Sequence, residues 1–280
     1  MSLWGLSWSN AKILGEYFPP LIIMFWRFLL ASIVISPFLF YSNCSLHKLK
    51  NNFIELIGIS IILILYNYCY FKGTYLGFAG IGGVIVTTLV PTITTILSSY
   101  IYNKVYPGNV KWGVFLGFIS SIFLLNLWNL NYKLIFISGN LFFILGAFLW
   151  SILTLWTHRI TKNLHSLHFS FYIFLFSSII IFIINPQSMD FSIFTMGIHF
   201  WLNFISVTIG AMAFGTVAFF YATQKIGAQS ASSFTFLVPV SALLFSYLLL
   251  NEIPNIMTLF GCILAISSVY LINRSSENNN

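Results

Sequence analysis

"TTLVPTITTILSSYIYNKVYPGNVKWGVFLGFIS", residues 87–120, and "TFLVPVSALLFSYLLLNEIPNIMTLFGCILAISS", residues 235–268, lie over each other without a gap at an offset of 148. They share Thr87/Thr235, Leu89/Leu237, Val90/Val238, Pro91/Pro239, Ser98/Ser246, Asn103/Asn251, Gly113/Gly261, Leu116/Leu264 and Ser120/Ser268, more than common greasiness supplies. An offset of 146 sets "FWRFLLASIVI" (25–35) on "FYIFLFSSIII" (171–181) and pairs Leu3-Trp4 with Leu149-Trp150. The chain therefore reads as two copies of one unit, 1–130 and 131–272, followed by a polar tail, 273–280, expected to be disordered.

The unit is built for lipid. The 280 residues are 59% hydrophobic and 6% charged, with a mean hydropathy of +0.92, outside the soluble globular range. A helix needs about 20 apolar residues to cross the hydrocarbon. Nine stretches qualify, near 20–41, 53–75, 81–103, 110–130, 137–157, 166–185, 196–222, 230–251 and 254–272, and residues 1–15 form a tenth, short one. The expected fold is all-α, with ten transmembrane helices and no separate soluble domain. Five spans per half make the second copy enter the membrane upside down, the inverted-repeat plan of secondary transporters, which channels and some scaffolds share.

Basic residues orient the chain. With a cytoplasmic N-terminus, Lys48, Lys50, Lys104, Lys111, Arg159, Lys162, Lys225 and Arg274 lie inside, and Lys12, Lys72 and Lys133 lie outside, which favours both termini in the cytoplasm. The net charge of +7 is spread singly between apolar runs, so it speaks for loops and against nucleic acid. Cys44, Cys69 and Cys262 show no metal-ligand spacing, and an odd count excludes full disulfide pairing. No basic flank and small-residue cleavage site mark a removable signal peptide.

Candidate chemistry follows the repeat. Pro91 and Pro239 stand in mid-span, and each proline strips the carbonyl four residues back of its helical donor. Thr87 and Thr235 thus carry spare acceptors near the midplane, in rows with Thr94, Thr95 and Ser98 and, in the copy, Ser246. Lone cases are ordinary membrane-helix tolerance, with Thr and Ser satisfying their own backbone; duplication favours a cavity lining. Arg27 is the one charge clearly inside a span, with Lys12 and Lys72 near outer ends. The alternative for all three is snorkelling, or pairing of Arg27 with Glu16. Asn67, Tyr68 and Tyr70 in "YNYCYFKG" can line a polar path or belong to an aromatic belt. Ala211, Gly215, Ala218 and Ala222 form a small-residue stripe for helix packing, near Tyr221 and Gln224. The five histidines sit at interfaces or loops with no ligand set around them, so no metal is expected. Glu16, Glu55, Asp190 and Glu252 fall at span ends or loops, which leaves a midplane carboxylate relay unsupported.

Together "WGLSWSNAK", "FWRFLLAS", "TTLVPTITTILSS", "GAFLWSILTLWTHRI" and "GAQSASSFTFLVPVSALLFSYLLLNEIP" resemble the EamA-type members of the drug/metabolite transporter superfamily. The resemblance covers essentially the whole chain and is most specific at Pro239 and Glu252, with Trp4-Gly5, Lys12 and Arg27 also matching. It implies a bacterial inner-membrane carrier that exports or exchanges small metabolites, often amino acids, through a central cavity between the repeats. The first, third, fourth, sixth, eighth and ninth helices would lie nearest the path. Lys104 stands where the pattern usually has a glutamate. The 146-residue offset also asks the first helix to start eight or nine residues before Met1, and 15 residues reach only about 22 Å. An upstream start encoding more apolar residues is the expectation, or a short helix that thins the bilayer.

The leading function is therefore alternating-access transport of a small polar metabolite with a carboxylate or an aromatic ring. Its expected path is Trp4, Trp8, Lys12, Arg27, Asn67, Tyr70, Thr87, Pro91, Trp150, Tyr221, Thr235 and Pro239. Lys12 and Arg27 would hold the anionic group, and the tryptophans an apolar one. On a helical wheel Trp4, Trp8, Ala11 and Lys12 turn inward together, while Asn10 falls on the apolar side without an evident partner. The partners expected are a small-molecule substrate and membrane lipid, with no cofactor, and the carrier is a monomer or homodimer. The rival readings are a lipid or polyprenyl-carrier flippase, marked by a groove open to lipid, a membrane enzyme, disfavoured for want of clustered His, Asp, Glu or Cys, and an assembly subunit.

Overall fold

The computed structural model of the chain describes residues 1–41, 50–103, 105–124, 139–241, 244–245 and 256–277. Lys48, Lys104, Lys133, Ser246, Asn251 and Glu252, with the end of the tail, lie outside the described residues. The helices are α1 Ser2–Tyr17, α2 Pro20–Ile35, α3 Phe53–Leu76, α4 Ala79–Tyr102, α5 Gly108–Leu124, α6 Asn140–Ile160, α7 Ser166–Ile184, α8 Ile198–Ile205, α9 Val217–Ile226, α10 Ala228–Ser233 and α11 Ile256–Glu277. A 3₁₀ segment, Ser36–Tyr41, prolongs α2, and another, Phe234–Leu237, prolongs α10.

Each boundary has a local cause. Phe18 is extended, and Pro19-Pro20 stops α1 and starts α2, where the missing N–H costs nothing in the first turn. Asn103 closes α4 in the left-handed conformation that asparagine tolerates. Gly227 at φ 85 turns the chain sharply from α9 into α10, a conformation that favours glycine.

Among the described residues six helices have the length and apolarity to cross a membrane: Pro20–Phe40, Phe53–Leu76, Ala79–Tyr102, Asn140–Ile160, Ser166–Ile184 and Ile198–Ile226. The expected ten spans are thus met by six at full length, in a multi-pass membrane protein. α1 spans 16 residues, α5 is described over 17, up to Leu124, and the ninth predicted span, 230–251, carries 3₁₀ geometry at Phe234 and is described to residue 241 and at 244–245. Phe40, Ile54 and Tyr100 stand fully outward, as side chains facing lipid do.

The eighth predicted span, 196–222, is a rod, Ile198–Ile226, whose middle, Ser206–Thr216, is a π-helix. The wider turn is held from outside and from within: Trp4 Nε1 donates to the Ala211 carbonyl at 2.9 Å and Arg27 Nη2 to the Val207 carbonyl at 3.3 Å, while Thr216 Oγ1, at the end of the segment, reaches back five residues to Ala211 at 3.2 Å. Hydropathy of period 3.6 gave no sign of it, and π-turns gather at functional positions.

Packing is ordered in counterpart pairs. α1 lies on the π segment as α6 lies on α3; α2 lies on the π segment as α7 lies on α3; α2 pairs with α7 and α5 with α11. One large apolar core, with Phe28, Phe71, Phe143, Phe169 and Phe220 fully buried, fills the main bundle. A second, small core of Phe236, Ala265, Val269 and Ile272 serves α5 and α11. Lipid tails are as apolar as these side chains, so close packing rather than escape from water holds the helices together. Phe143 shows how close: its ring, carried by α6, enters between α3 and α4 where a Cβ on Gly73 would meet it at 2.5 Å and one on Gly82 would overlap it. Gly82→Ala is expected to destabilise the protein by about 1–3 kcal/mol through overpacking, read as a lower thermal midpoint in detergent.

Candidate functional site

Single faces of several helices converge on one point in the main bundle. α1 presents Trp4, Ser7 and Trp8, and α3 presents Leu63, Tyr66, Asn67 and Tyr70, both at helical spacing. α2 adds Arg27, α4 adds Thr87 and Val90, and α6 adds Trp150. The π segment contributes Ala211, Met212 and Thr216, and the 3₁₀ turn contributes Thr235. The cavity they enclose measures ≈ 40 Å³, room for water rather than for a metabolite.

Arg27 is its charged member, 6% exposed. Nη1 donates to Asn67 Oδ1 at 2.7 Å and Nη2 to the Val207 carbonyl, while the guanidinium carbon stands 5.8 Å from the Tyr70 ring centre and 5.4 Å from that of Phe71. Asn67 is oriented for this, because its Nδ2 donates to the Leu63 carbonyl one turn back at 2.9 Å, leaving Oδ1 to face the arginine. Arg27 Nε has no partner, and neither has Trp150 Nε1.

Aromatic rings wall the cavity. Trp4 meets Trp150 edge-on at 5.3 Å, Trp8 meets Tyr70 edge-on at 4.7 Å, and Tyr66 leans on Trp150 at 4.5 Å. Edge-to-face contacts of this kind fix ring orientation. The Tyr70 hydroxyl donates to the Ser7 carbonyl at 2.7 Å, and the Ser7 hydroxyl donates to the Trp4 carbonyl at 2.8 Å.

At the floor of the site the repeat becomes a bond. The Thr87 carbonyl, deprived of its helical donor by Pro91, accepts the Thr235 hydroxyl at 2.7 Å. That hydroxyl also stands 2.7 Å from the Ser232 carbonyl, and its single proton serves one of them at a time. The second copy settles its own spare acceptor differently: the Thr235 carbonyl takes the Val238 N–H in a 3₁₀ turn. Thr235→Val, which keeps the shape and removes the proton, is expected to cost about 1–2 kcal/mol of thermal stability, with Thr235→Ser close to the parent.

The structure brings Trp4, Trp8, Arg27, Asn67, Tyr70, Thr87, Trp150 and Thr235 together and leaves Lys12, Pro91, Tyr221 and Pro239 outside the cavity wall. Lys12 is a correction. Its Nζ donates to the Gly77 carbonyl at 3.2 Å, beside the Phe78 ring, where a cation suits the carbonyl end of α3. The buried side of α1 is Gly5, Ser7, Trp8, Asn10, Ala11 and Leu14, turned toward Ser7 and Leu14 and away from Lys12. Asn10 finds its partner there, donating from Nδ2 to Ser206 Oγ at 2.9 Å. Arg27 does not pair with Glu16, which is exposed at the end of α1. Tyr221 is half-exposed on the outside of the rod, with the Lys225 Nζ 5.6 Å from its ring. Pro91 and Pro239 are buried and act through their carbonyl neighbours. Sequence reading missed the polar lining residues Ser7, Tyr66 and Thr216. Tyr66 shares the 63, 66, 67, 70 spacing of its neighbours, a legible signal, whereas Thr216 enters through the π-turn.

A larger cavity, ≈ 260 Å³, opens at the end of the bundle where α4 and α6 finish, among Ser98, Tyr106, His158 and Gln229. Burial pushes the Tyr106 phenol up, and its 2.7 Å hydrogen bond with Ser98 opposes that shift. Thr94, Thr95 and Ser98, buried along α4, run from the first cavity toward the second.

Against known proteins, the model of the EamA-like transporter family matches residues 1–126 and 137–274. An uncharacterized transporter of Archaeoglobus fulgidus is 24% identical over 276 residues, covering 97% of this chain and 93% of the relative. The uncharacterized transporter YyaM of Bacillus subtilis is 23% identical over 270 residues, covering 95% and 88%. A crystal structure aligns with a TM-score of 0.78 at 14% identity, over 99% of this chain and 96% of the other, a likeness of fold.

Proposed function

The chain belongs to the EamA-like transporter family, and from that premise we propose that it carries a small polar metabolite with a carboxylate or an aromatic ring, amino acids among the candidates, by alternating access. The observation that carries this reading is Arg27: a buried guanidinium with an uncommitted N–H, held open-handed in an aromatic cavity. An unpaired buried charge is costly and, in a membrane, a mark of function.

The moving parts in this proposal are the inverted five-helix units 1–130 and 131–272. The counterpart pairing of α1 with the π segment and of α6 with α3 is what a two-fold exchange of two such units asks for. The small cavity supports motion as well: ≈ 40 Å³ is far below the ~300 Å³ of a small ligand site, so the bundle must open around Arg27 to admit a substrate. Export or exchange at a bacterial inner membrane, with both termini cytoplasmic and a monomer or homodimer as the working unit, completes the reading. The flippase alternative asks for a groove open to lipid, and the ring of α1, α2, α3, α4, α6 and the π segment around Arg27 favours a central path instead. Reconstitution into proteoliposomes with a panel of radiolabelled amino acids and nucleotide metabolites tests it. Saturable flux of at least one compound is expected, and no flux for any would remove the proposal.

A further inference from the structure

Resting on that transport reading, we infer that the Arg27 cavity selects a net monoanion, a carboxylate on an apolar or aromatic body without an ammonium group, and that Trp150 is a specificity-determining residue for it. Among the fully enclosed polar atoms of the lining residues, Arg27 Nε and Trp150 Nε1 have no hydrogen-bond partner, and both are donors on side chains more than nine-tenths buried. Four acceptors in the wall are already engaged. The Thr87 carbonyl takes Thr235, the Ala211 carbonyl takes Trp4 and Thr216, the Ser7 carbonyl takes Tyr70, and Asn67 Oδ1 takes Arg27 itself.

No Asp or Glu lines the cavity among the described residues. Glu55 faces Arg159 at 3.6 Å and accepts the Trp156 N–H, Asp190 accepts the Ser192 N–H, and Glu16 is exposed at the end of α1. The site therefore holds a fixed positive charge with neutral partners. A carboxylate neutralises it and offers lone pairs to unspent N–H groups. An α-amino acid brings the same carboxylate, but its ammonium, two bonds away, falls close to the guanidinium, where it is repelled and meets no carboxylate among the described lining residues.

Three probes with one ring and different charges decide the matter: 3-phenylpropanoate, phenylalanine and 2-phenylethylamine, titrated against the purified full-length chain while thermal unfolding is followed. Half-maximal stabilisation by 3-phenylpropanoate is expected at a concentration at least about tenfold below that of phenylalanine, with no response to the amine. Trp150→Phe keeps a ring beside Tyr66 and Trp4 and loses the N–H, and it should raise that concentration about five- to tenfold. Equal protection by phenylalanine, protection by the amine, or no protection by any probe overturns the inference. The wild-type comparison stands even if Trp150→Phe folds poorly. Flux of a zwitterion in the proteoliposome panel would then leave the transport reading in place while this selectivity falls.

Discussion

Arg27→Gln is expected to lower the transport rate at limiting substrate about hundredfold while the protein melts no earlier than the parent by more than about 1 kcal/mol. Truncating one side of a buried, hydrogen-bonded charge pair costs about 2–5 kcal/mol of binding, and 3 kcal/mol is roughly a hundredfold. Stability responds differently because the empty site buries a charge among neutral partners, Asn67 Oδ1 and the Val207 carbonyl. A neutral side chain is relieved of that desolvation, which offsets the lost bonds; glutamine still offers one amide donor toward Asn67. Arg27→Lys keeps the charge and loses the planar fork that spans α3 and the π segment, so a loss of about tenfold is expected. Initial flux in proteoliposomes, with thermal melts of the same preparations, separates the two quantities. Unchanged flux in both variants would remove Arg27 from the path.

The cavity was legible where the sequence repeats and illegible where one helix is rotated against another. Duplicated prolines marked the Thr87 carbonyl as a spare acceptor, and Thr235, its counterpart at an offset of 148, supplies the proton. A wheel of α1 grouped Trp4 and Trp8 correctly but could not fix the helix's rotation in the bundle, so Lys12 was turned inward and Asn10 outward. Contacts with Ser206 and Gly77, distant in sequence, set that rotation. The π-turn was invisible for a different reason. Its carbonyls are held by Trp4 and Arg27 from other helices, a tertiary cause that no local periodicity records. Boundaries fared better: Pro19-Pro20 and Gly227 act within a few residues of themselves, and the predicted spans 20–41, 53–75, 81–103 and 166–185 fall close to the helices observed.

Gly117→Ala is the small substitution expected to reach furthest through the fold. α5 and α11 pack so closely that a Cβ on Gly113 would stand 3.1 Å from the Ser268 carbonyl oxygen and 3.2 Å from the Ile272 nitrogen, both backbone atoms that cannot swing aside. One turn on, a Cβ on Gly117 would overlap the ring of Phe236, with Cε2 at 2.7 Å. Gly113-x-x-x-Gly117 is the small-residue spacing that lets membrane helices approach, here carrying the Ser268 hydroxyl to the Gly113 carbonyl at 2.6 Å. Phe236 is fully buried and adjoins Thr235, so a displaced ring pulls on the hydroxyl that serves Thr87. Overpacking of this kind costs about 1–3 kcal/mol at each glycine. The two share one interface, so the double variant should lose less than the sum. Gly80→Ala is the control: nothing lies within 4 Å of its Cβ, and an alanine in that helix is expected to stabilise by about 0.5–1 kcal/mol. Unfolding in detergent ranks Gly113→Ala, Gly117→Ala, their double and Gly80→Ala. If Gly117→Ala proved as stable as Gly80→Ala, the Phe236 ring must move freely, and the link from the α5–α11 pair to the Thr235 bond would be lost.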